Sequence, residues 1–405
     1  MGSHPFLRLG SSLRIRSADE TLARAIAIAP ALGISRVTDV TRMDRLGLPV
    51  FVSVRPRGLS LRVHAGKGLA SVDACVGALM EAIEFAVAEP QRTSWRADRV
   101  SLAQLEACWG GGFDLLDLGP HIGIAFDERT MFDAIACENL LGGPALPIPA
   151  ERVFFPFDSP DHPDLLTTST NGLASGNSIA EATLHGLLEV LERDAEAMNV
   201  ADDKSRWIDP AELPPPFAQL ARRWRAMGVD LAVRLLPNAF GLPCFEAVLH
   251  AQGSEDVNLS GGFGLHLERD IALARAVAEA AQARISHIHG GRDDLAERHE
   301  RGERLGREGR RERDAEAVAL KFDRSRRVHY DAVPDFACDD GLDEVLDAVL
   351  HHLGELGFGQ VLRHRFDIDL GGLEVVRVVV PRCEDFWLPC VHMGRRLRRL
   401  MLSDA

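Results

Sequence analysis

The sequence predicts a mixed α+β protein, with short mixed sheets covered by packed helices. Segments with apolar residues at helical spacing alternate with short runs rich in β-branched residues, most regularly late in the chain. Three stretches also share one plan, in which glycines and small residues run into a helix carrying two polar groups three positions apart. With 46% hydrophobic and 26% charged residues over 405 positions, the chain is long enough to bury a real core and has an ordinary globular composition.

From the N-terminus, SADETLARAIAIAPALG has the spacing of an amphipathic helix, with Ser17 as its cap and Gly33 as its stop. RVTDVTRMDRLGLPVFVSVRP reads as two strands joined by a loop around Asp44 to Gly47, and LSLRVHAGKGLA as a third strand feeding a glycine turn. Ser71 to Glu89 is helical in its apolar spacing and is ended by Pro90. Residues 100–165 hold glycine and proline clusters and predict short strands with no long element. The helix within NGLASGNSIAEATLHGLLEVLERDAE follows. Beyond LPPP at 213–216 come a helix and strand (PFAQLARRWRAMGVDLAVRLLPN), another strand (PCFEAVLHAQG) and a helix within LSGGFGLHLERDIALARAVAEAAQARISHIHGGRDDL. Residues 292–316 alternate charge signs with almost nothing apolar, which predicts a solvated helix or mobile segment. The chain closes with GLDEVLDAVLHHLGELG as helix and QVLRHRFDI and EVVRVVVP as strands.

Several function classes are disfavoured by composition. No run of ~18 uncharged apolar residues exists and MGSHPFLRLGSSLRIR has no signal-peptide hydrophobic region, so the expectation is a cytoplasmic protein without a membrane span. A net charge of -14 argues against a general nucleic-acid binder. Seven cysteines, odd in number and without a CxxC pair, predict reduced structural thiols and neither a disulfide framework nor a zinc site.

Of the 46 basic residues, the lysines are Lys67, Lys204 and Lys321. Lys67 stands between glycines in GKG, where a compact ammonium beside bare backbone suits a phosphate. The acids are paired: Glu81 and Glu84, then Glu189 and Glu192, then Glu279 with Gln282, and the tetrad GLAS recurs at 68–71 and 172–175. Residues at i and i+3 project from one helix face, so each glutamate pair is a two-carboxylate clamp. At 100° per residue Glu181 falls about 20° from Glu192 and about 80° from Glu189, while Leu184, Leu187, Leu188 and Leu191 gather on the other side. A glycine-rich turn before a helix favours an anion through backbone amides and the helix dipole. Mg²⁺ takes hard oxygens from one or two carboxylates together with substrate phosphates. Clustered glutamates with glycine turns, Lys67 and Arg193 therefore read as a Mg-nucleoside triphosphate site, not of the Walker type because GxxxxGK[ST] is absent.

TNGLASGNSIAEATLHGLLEVLERDAEA closely resembles the signature helix of the YcaO superfamily, and GKGLASVDACVGALMEAIE resembles its GKG and SxxExxE element. ISRVTDVTRMDRLGLPVFVSVRP and ALARAVAEAAQARISHIHGGRDDL are similar to further segments of that family, the last especially to members that work with a TfuA partner. The resemblance runs from Ile34 to Pro381. It implies a YcaO-like fold with the Mg-ATP site between the glycine-turn and helix units, a helical segment over 1–33, a catalytic domain over 34–392 and a tail over 393–405. It implies metal ligation by Glu81, Glu84, Glu189 and Glu192, support from Glu181 and Asn177, and phosphates facing Lys67 and Arg193. Arg275, Glu279 and Arg284 are further candidates from the third unit, with surface ion pairing as the alternative.

YcaO proteins use ATP and Mg²⁺ to phosphorylate a peptide backbone amide oxygen after a nucleophile has added to the amide carbon; a side chain gives an azoline, a sulfide donor a thioamide, an amine an amidine. The resemblance thus implies a ribosomally made precursor peptide as substrate, a TfuA-like or leader-binding partner, and a homodimer. Two departures stand out: the family's SxxExxER reads ALMEAIEF here, with Ala78 for Ser and Phe85 for Arg. Azoline-forming members commonly end in a proline-rich tail, whereas this chain ends WLPCVHMGRRLRRLMLSDA, which shifts the expectation to a thioamide. The alternatives are an azoline cyclodehydratase, a peptide-binding scaffold with a decayed nucleotide site, and an unrelated ATP-dependent ligase. Cys383 and Cys390 invite a sulfur-carrier role, with ordinary packing as the expected one.

Overall fold

The computed structural model describes residues 6–90, 96–110, 112–157, 159, 161, 164–253, 259–291, 304, 306–337, 341–385 and 392–403. A short hairpin, β1 (Leu7–Leu9) and β2 (Ser12–Arg14), leads into helix α1 (Ala18–Ile28). Ser17 caps α1: its hydroxyl accepts from Glu20 N, and the Glu20 carboxylate accepts from Ser17 N. The first antiparallel sheet runs β3 (Arg36–Asp39), β4 (Val50–Val54), β5 (Val63–Lys67) and feeds helix α2 (Ser71–Ala88). The stretch expected to lack a long element departs from expectation. After β6 (Asp98–Ser101) and α3 (Leu102–Cys108) it holds β7 (Met131–Asn139), nine residues long, and β8 (Leu146–Pro149). MFDAIACEN has one β-branched residue and a broken alternation, so its strand character comes from its neighbours in the sheet and not from its own propensity.

β9 (Leu173–Gly176) precedes helix α4 (Ile179–Ala201). Next come β10 (Arg206–Ile208), α5 (Pro215–Ala226), β11 (Val229–Leu235), β12 (Cys244–Ala251), β13 (Leu259–Leu265) and α6 (Arg269–His289). The strands of this part form an antiparallel sheet in simple sequence order. α7 (Gly306–Lys321) takes in the end of the charge-alternating segment, whose residues 292–303 and 305 lie outside the described residues. α8 (Leu342–Glu355), β14 (Leu362–Arg365), β15 (Glu374–Val379) and α9 (Arg395–Ser403) complete the chain. The β14–β15 hairpin inserts between β7 and β9, giving the order β6-β7-β14-β15-β9 with β8 paired to β7. α4 is packed by apolar residues on its sheet side, where Leu187, Leu191 and Ala195 meet Val376 and Val378 of β15 and Val349 and Leu353 of α8.

Three strand-and-helix units, β5–α2, β9–α4 and β13–α6, repeat one geometry around a common centre. Each helix lies back on its own strand and also touches the strand of the next unit: α2 meets β9, α4 meets β13, and α6 meets β5. The close approach explains the glycines. A Cβ on Gly66 would stand 2.1 Å from Ala74 O and Ala78 N, and one on Gly264 would stand 2.1 Å from Ala272 O and 2.6 Å from Ala276 N. Thus the glycines at the entry to each helix let the helix lie directly on its strand. The recurring GLAS tetrads are out of register with this repeat, since Gly68–Ser71 is turn and helix start whereas Leu173–Ser175 is strand. The counterpart of Gly68 is Gly176: added Cβ atoms there would meet Ala74 N at 3.1 Å and Ala182 N at 2.6 Å. Ala78, Gly186 and Ala276 are the helix residues resting on the strands, and three residues later come Glu81, Glu189 and Glu279.

Candidate active site

The three units close around a cavity of about 980 Å³. Its wall takes equivalent residues from each: Glu81, Glu189 and Glu279 from the first polar position, Glu84, Glu192 and Gln282 from the second, and Gly77, His185 and Arg275 one turn earlier. Helical spacing aims each pair at the centre because the opposite helix face is committed to its strand.

Glu81, Glu84, Glu192, Glu279 and Gln282 are each held from a strand. Glu81 Oε2 accepts from Ala65 N at 3.1 Å, and Glu84 accepts from the Ser175 hydroxyl on β9. Glu192 Oε2 accepts from Leu265 N of β13 at 2.7 Å. Gln282 Nε2 donates to Ala65 O of β5 at 2.9 Å, and Lys67 Nζ is 2.6 Å from Glu279 Oε2. Glu81 thus binds the strand of its own unit, while Glu84, Glu192, Gln282 and Glu279 each reach the strand of the next and close the ring.

Burial dominates the electrostatics. It pushes Glu84 up to about 8; the Ser175 hydroxyl works against the shift, and the charges of Glu189 and Glu81 work with it. Burial likewise raises Glu189 to about 7, against Arg193 and with Glu192. Burial would also raise Glu279, but Lys67 and Arg193 hold it below the ordinary carboxylate value. Burial drives His185 well below its usual range, with Arg14 and Arg275 adding to the effect, so its imidazole is neutral at pH 7.

Lys67, Asn177, Glu181, Arg193 and Arg275 all line this cavity together with Glu81, Glu84, Glu189 and Glu192. Arg284 does not: its Nε is 2.9 Å from Asp44 Oδ2, both side chains are buried, and it secures α6 to the loop before β4. Asn177 and Glu181 have a visible anchoring role. Glu181 accepts from Arg14 Nη1 at 3.1 Å, Ile15 N at 2.9 Å and Asn177 N at 3.0 Å, while Asn177 also bonds Thr21. The N-terminal hairpin is thereby fixed to the start of α4. His185, Ser175 and Arg14 were not singled out from the sequence. His185 had a legible signal, lying one turn before Glu189 on the same helix face, whereas Arg14 had none because it reaches the site across 167 positions of chain.

The two motif departures fall in different surroundings. Ala78 is fully buried against Gly66 and lies outside the cavity wall, where small size is the requirement. Phe85 lies on the wall at the counterpart position of Arg193 and packs edge-on against His64 and Phe155, with ring centroids 4.6 and 5.3 Å away. Of the cysteines, Cys383 is half-buried, and its desolvation raises the thiol pKa well above the ordinary value, while Cys390 lies outside the described residues. The described cysteines Cys75, Cys108, Cys137, Cys244 and Cys383 are free thiols.

A second cavity of about 460 Å³ adjoins the first, and both are lined by Glu189, Arg193, Ser169 and Thr170. Its wall adds Thr167, Thr168, Asn171 and Arg377. Arg377 is locked in place by the carbonyls of Val153 at 3.2 Å, Asn171 at 2.7 Å and Ser169.

The donor set fits Mg²⁺ with a triphosphate. Four carboxylates supply hard oxygens, and Arg275 Nε is buried without a hydrogen-bond partner, a donor with capacity for an anion. Among the described residues no three His, Cys, Asp or Glu side chains form a metal-enclosing group by themselves.

A family model described as YcaO cyclodehydratase, ATP- and Mg²⁺-binding, matches residues 65–384. An uncharacterized protein of Methanothermobacter thermautotrophicus is 33% identical over 387 residues, 91% of this chain and 94% of that protein. An uncharacterized protein in the tfuA 3′ region of Rhizobium leguminosarum bv. trifolii is 32% identical over 288 residues, 67% of each. Among solved structures, YcaO from Methanopyrus kandleri bound with AMPPCP and Mg²⁺ shares the fold, with TM-score 0.76 and 23% identity over 97% of this chain and 98% of that one.

Proposed function

The chain belongs to the YcaO family, and with the cavity's geometry in hand we propose that it phosphorylates a backbone amide oxygen of a ribosomally made peptide with Mg-ATP, to form a thioamide. The observation that supports this reading most is the convergence of Glu81, Glu84, Glu189 and Glu192 with Lys67, Arg193 and Arg275 on one cavity. In this reading the four glutamates hold Mg²⁺, Lys67 and Arg275 face phosphates, and Asn177 with Glu181 supports the nucleotide by fixing the hairpin at the cavity mouth. Bound Mg-ATP supplies the phosphoryl group and the charge neutralisation that turn an amide oxygen into a leaving group. Arg193 stands where the two cavities meet, placed to neutralise charge at the transferring group, and the hydroxyls of Thr168, Ser169 and Thr170 can orient a peptide amide entering from the second cavity. His185, neutral at pH 7, lines the cavity without adding a positive charge beside Glu189.

The thioamide product needs a sulfide donor, and a TfuA-like partner is the proposed source of specificity; the relative in the tfuA 3′ region favours that pairing. An azoline product is the second reading, favoured by the cyclodehydratase description of the matched family model. Intact-mass analysis of the peptide separates them, because exchange of oxygen for sulfur and loss of water change the mass in opposite directions.

The deciding experiment is calorimetric titration of Mg-ATP into the chain and into Glu189→Ala and Glu192→Ala. The expected result is Mg²⁺-dependent binding, weakened by about 100-fold or more in each variant. Unchanged affinity in both variants would remove the nucleotide from this cavity, and an absence of Mg-ATP binding by the wild type would favour the scaffold alternative.

A further inference from the structure

The basic side chains of the cavity wall, Arg14, Lys67, Arg193 and Arg275, are each already engaged with a carboxylate. Lys67 Nζ is 2.6 Å from Glu279, Arg275 Nη2 is 3.6 Å from Glu192, and Arg193 Nη1 is 2.9 Å from Glu196. The three-unit repeat shows what is particular about the first of these. The structural counterparts of Lys67 are Ser175 and Leu265, which offer a hydroxyl to Glu84 and a backbone N–H to Glu192. Glu279, the counterpart of Glu81 and Glu189, faces a full positive charge instead. Lys67 is about one-quarter exposed and Glu279 about one-fifth, so the pair borders the open cavity and can part without unfolding anything.

We infer that Lys67 acts as a resident cation that keeps the nucleotide-free cavity closed to a metal ion, and that Lys67 exchanges Glu279 for a phosphate oxygen when triphosphate and metal enter together. The inference rests on the Mg-ATP reading of this cavity and adds a coupling to it. With Lys67 on Glu279, a divalent cation entering alone meets an ammonium beside the carboxylates of the cavity, and a triphosphate entering alone meets Glu279 and Glu192 beside the bases it needs. Together they exchange partners: the bases turn to phosphate, and the released carboxylates face the cation. Each exchanged charge faces an opposite one before and after, so the two ligands favour one another's binding and each is weak by itself.

Mn²⁺ binding to the nucleotide-free chain, read by electron paramagnetic resonance, tests one half, and calorimetry of tripolyphosphate in EDTA tests the other. Lys67→Met is expected to tighten Mn²⁺ binding by about tenfold, and Glu279→Gln to tighten metal-free tripolyphosphate binding by about tenfold, each relative to wild type. Lys67→Arg, which keeps the charge, is expected to retain the weak Mn²⁺ binding of the wild type. Damage to the fold would weaken both ligands, so gains of opposite selectivity from the two substitutions cannot come from misfolding. Wild type that binds Mg-ATP while neither variant shows its gain would overturn the coupling and leave the functional reading standing. Wild type that binds no Mg-ATP would overturn both.

Discussion

At Glu84 burial, a hydroxyl and two neighbouring carboxylates act on one group, and burial sets the direction, to a pKa of about 8 from an ordinary 4.5. Between those values the folded chain keeps a proton that the unfolded chain has released, so stability falls as pH rises through the window. Glu189, lifted to about 7, adds to the fall over the lower part of the range. His185 and His266, driven below 6.5 chiefly by burial, work the other way, but their contribution is complete once the unfolded imidazoles are neutral. Above pH 7 the carboxylates therefore decide. In EDTA the melting temperature is expected to be lower at pH 8.5 than at pH 7, with a shallower fall in Glu84→Gln, and Mg²⁺ added together with ATP is expected to recover most of the loss because the cation takes the proton's place. A melting temperature that holds steady or climbs over that interval would show that Glu84 is well solvated.

Among the elements, the strand-and-helix unit places the chemistry, and its tolerance is set by one missing atom. A Cβ on Gly66 would overlap Ala74 O and Ala78 N at 2.1 Å, so α2 must lift from β5 to accept it. Gly66→Ala is expected to cost about 1–3 kcal/mol in urea unfolding, the usual range for overpacking a filled contact. It should also weaken Mg-ATP binding, because α2 carries Glu81 and Glu84. Gly261→Ala is the matched control: it lies in β13, its added Cβ would meet its nearest neighbour at 3.8 Å, and the expected change is within about 0.5 kcal/mol. Equal effects from the two substitutions would mean that strand propensity, not helix contact, accounts for the glycines.

Over the whole molecule, the end of the chain is tied to its middle at the helix that carries the second glutamate pair. Arg396 of α9 lies 2.5 Å from Asp194 of α4, a side chain 1% exposed, and Glu384 accepts from the backbone N–H of Gly394, Arg396 and Leu397 at the start of α9. Arg395 adds a bond to Asp117, and Leu397 is fully buried. Arg396→Ala leaves Asp194 with a buried charge and only the Glu384 N–H as a remaining polar partner of its Oδ1. The expected loss is about 3 kcal/mol, seen as a lower urea midpoint. A change below about 0.5 kcal/mol would mean that α9 lies on α4 without securing it.

By itself the sequence determined what is local. Ser17 specified a helix cap, Pro90 a helix end, and the three-residue spacing of Glu81 with Glu84 and of Glu189 with Glu192 put both pairs on helix faces, because capping and 3.6-residue periodicity depend only on neighbours in the chain. The residues that resemble the family motif were readable for the same reason. Tertiary structure alone decided that three such faces look inward on one cavity, that Lys67 rests on Glu279 and Arg284 on Asp44, and that β7, poor in β-branched residues, is a long strand between distant partners. It also showed that the glycines serve helix packing, and that the repeat runs from Gly68 to Gly176 and not from one GLAS to the next. Those contacts join positions far apart in the chain, and which partner a charge or a strand edge finds is settled by how the layers stack, information that no short window of sequence contains.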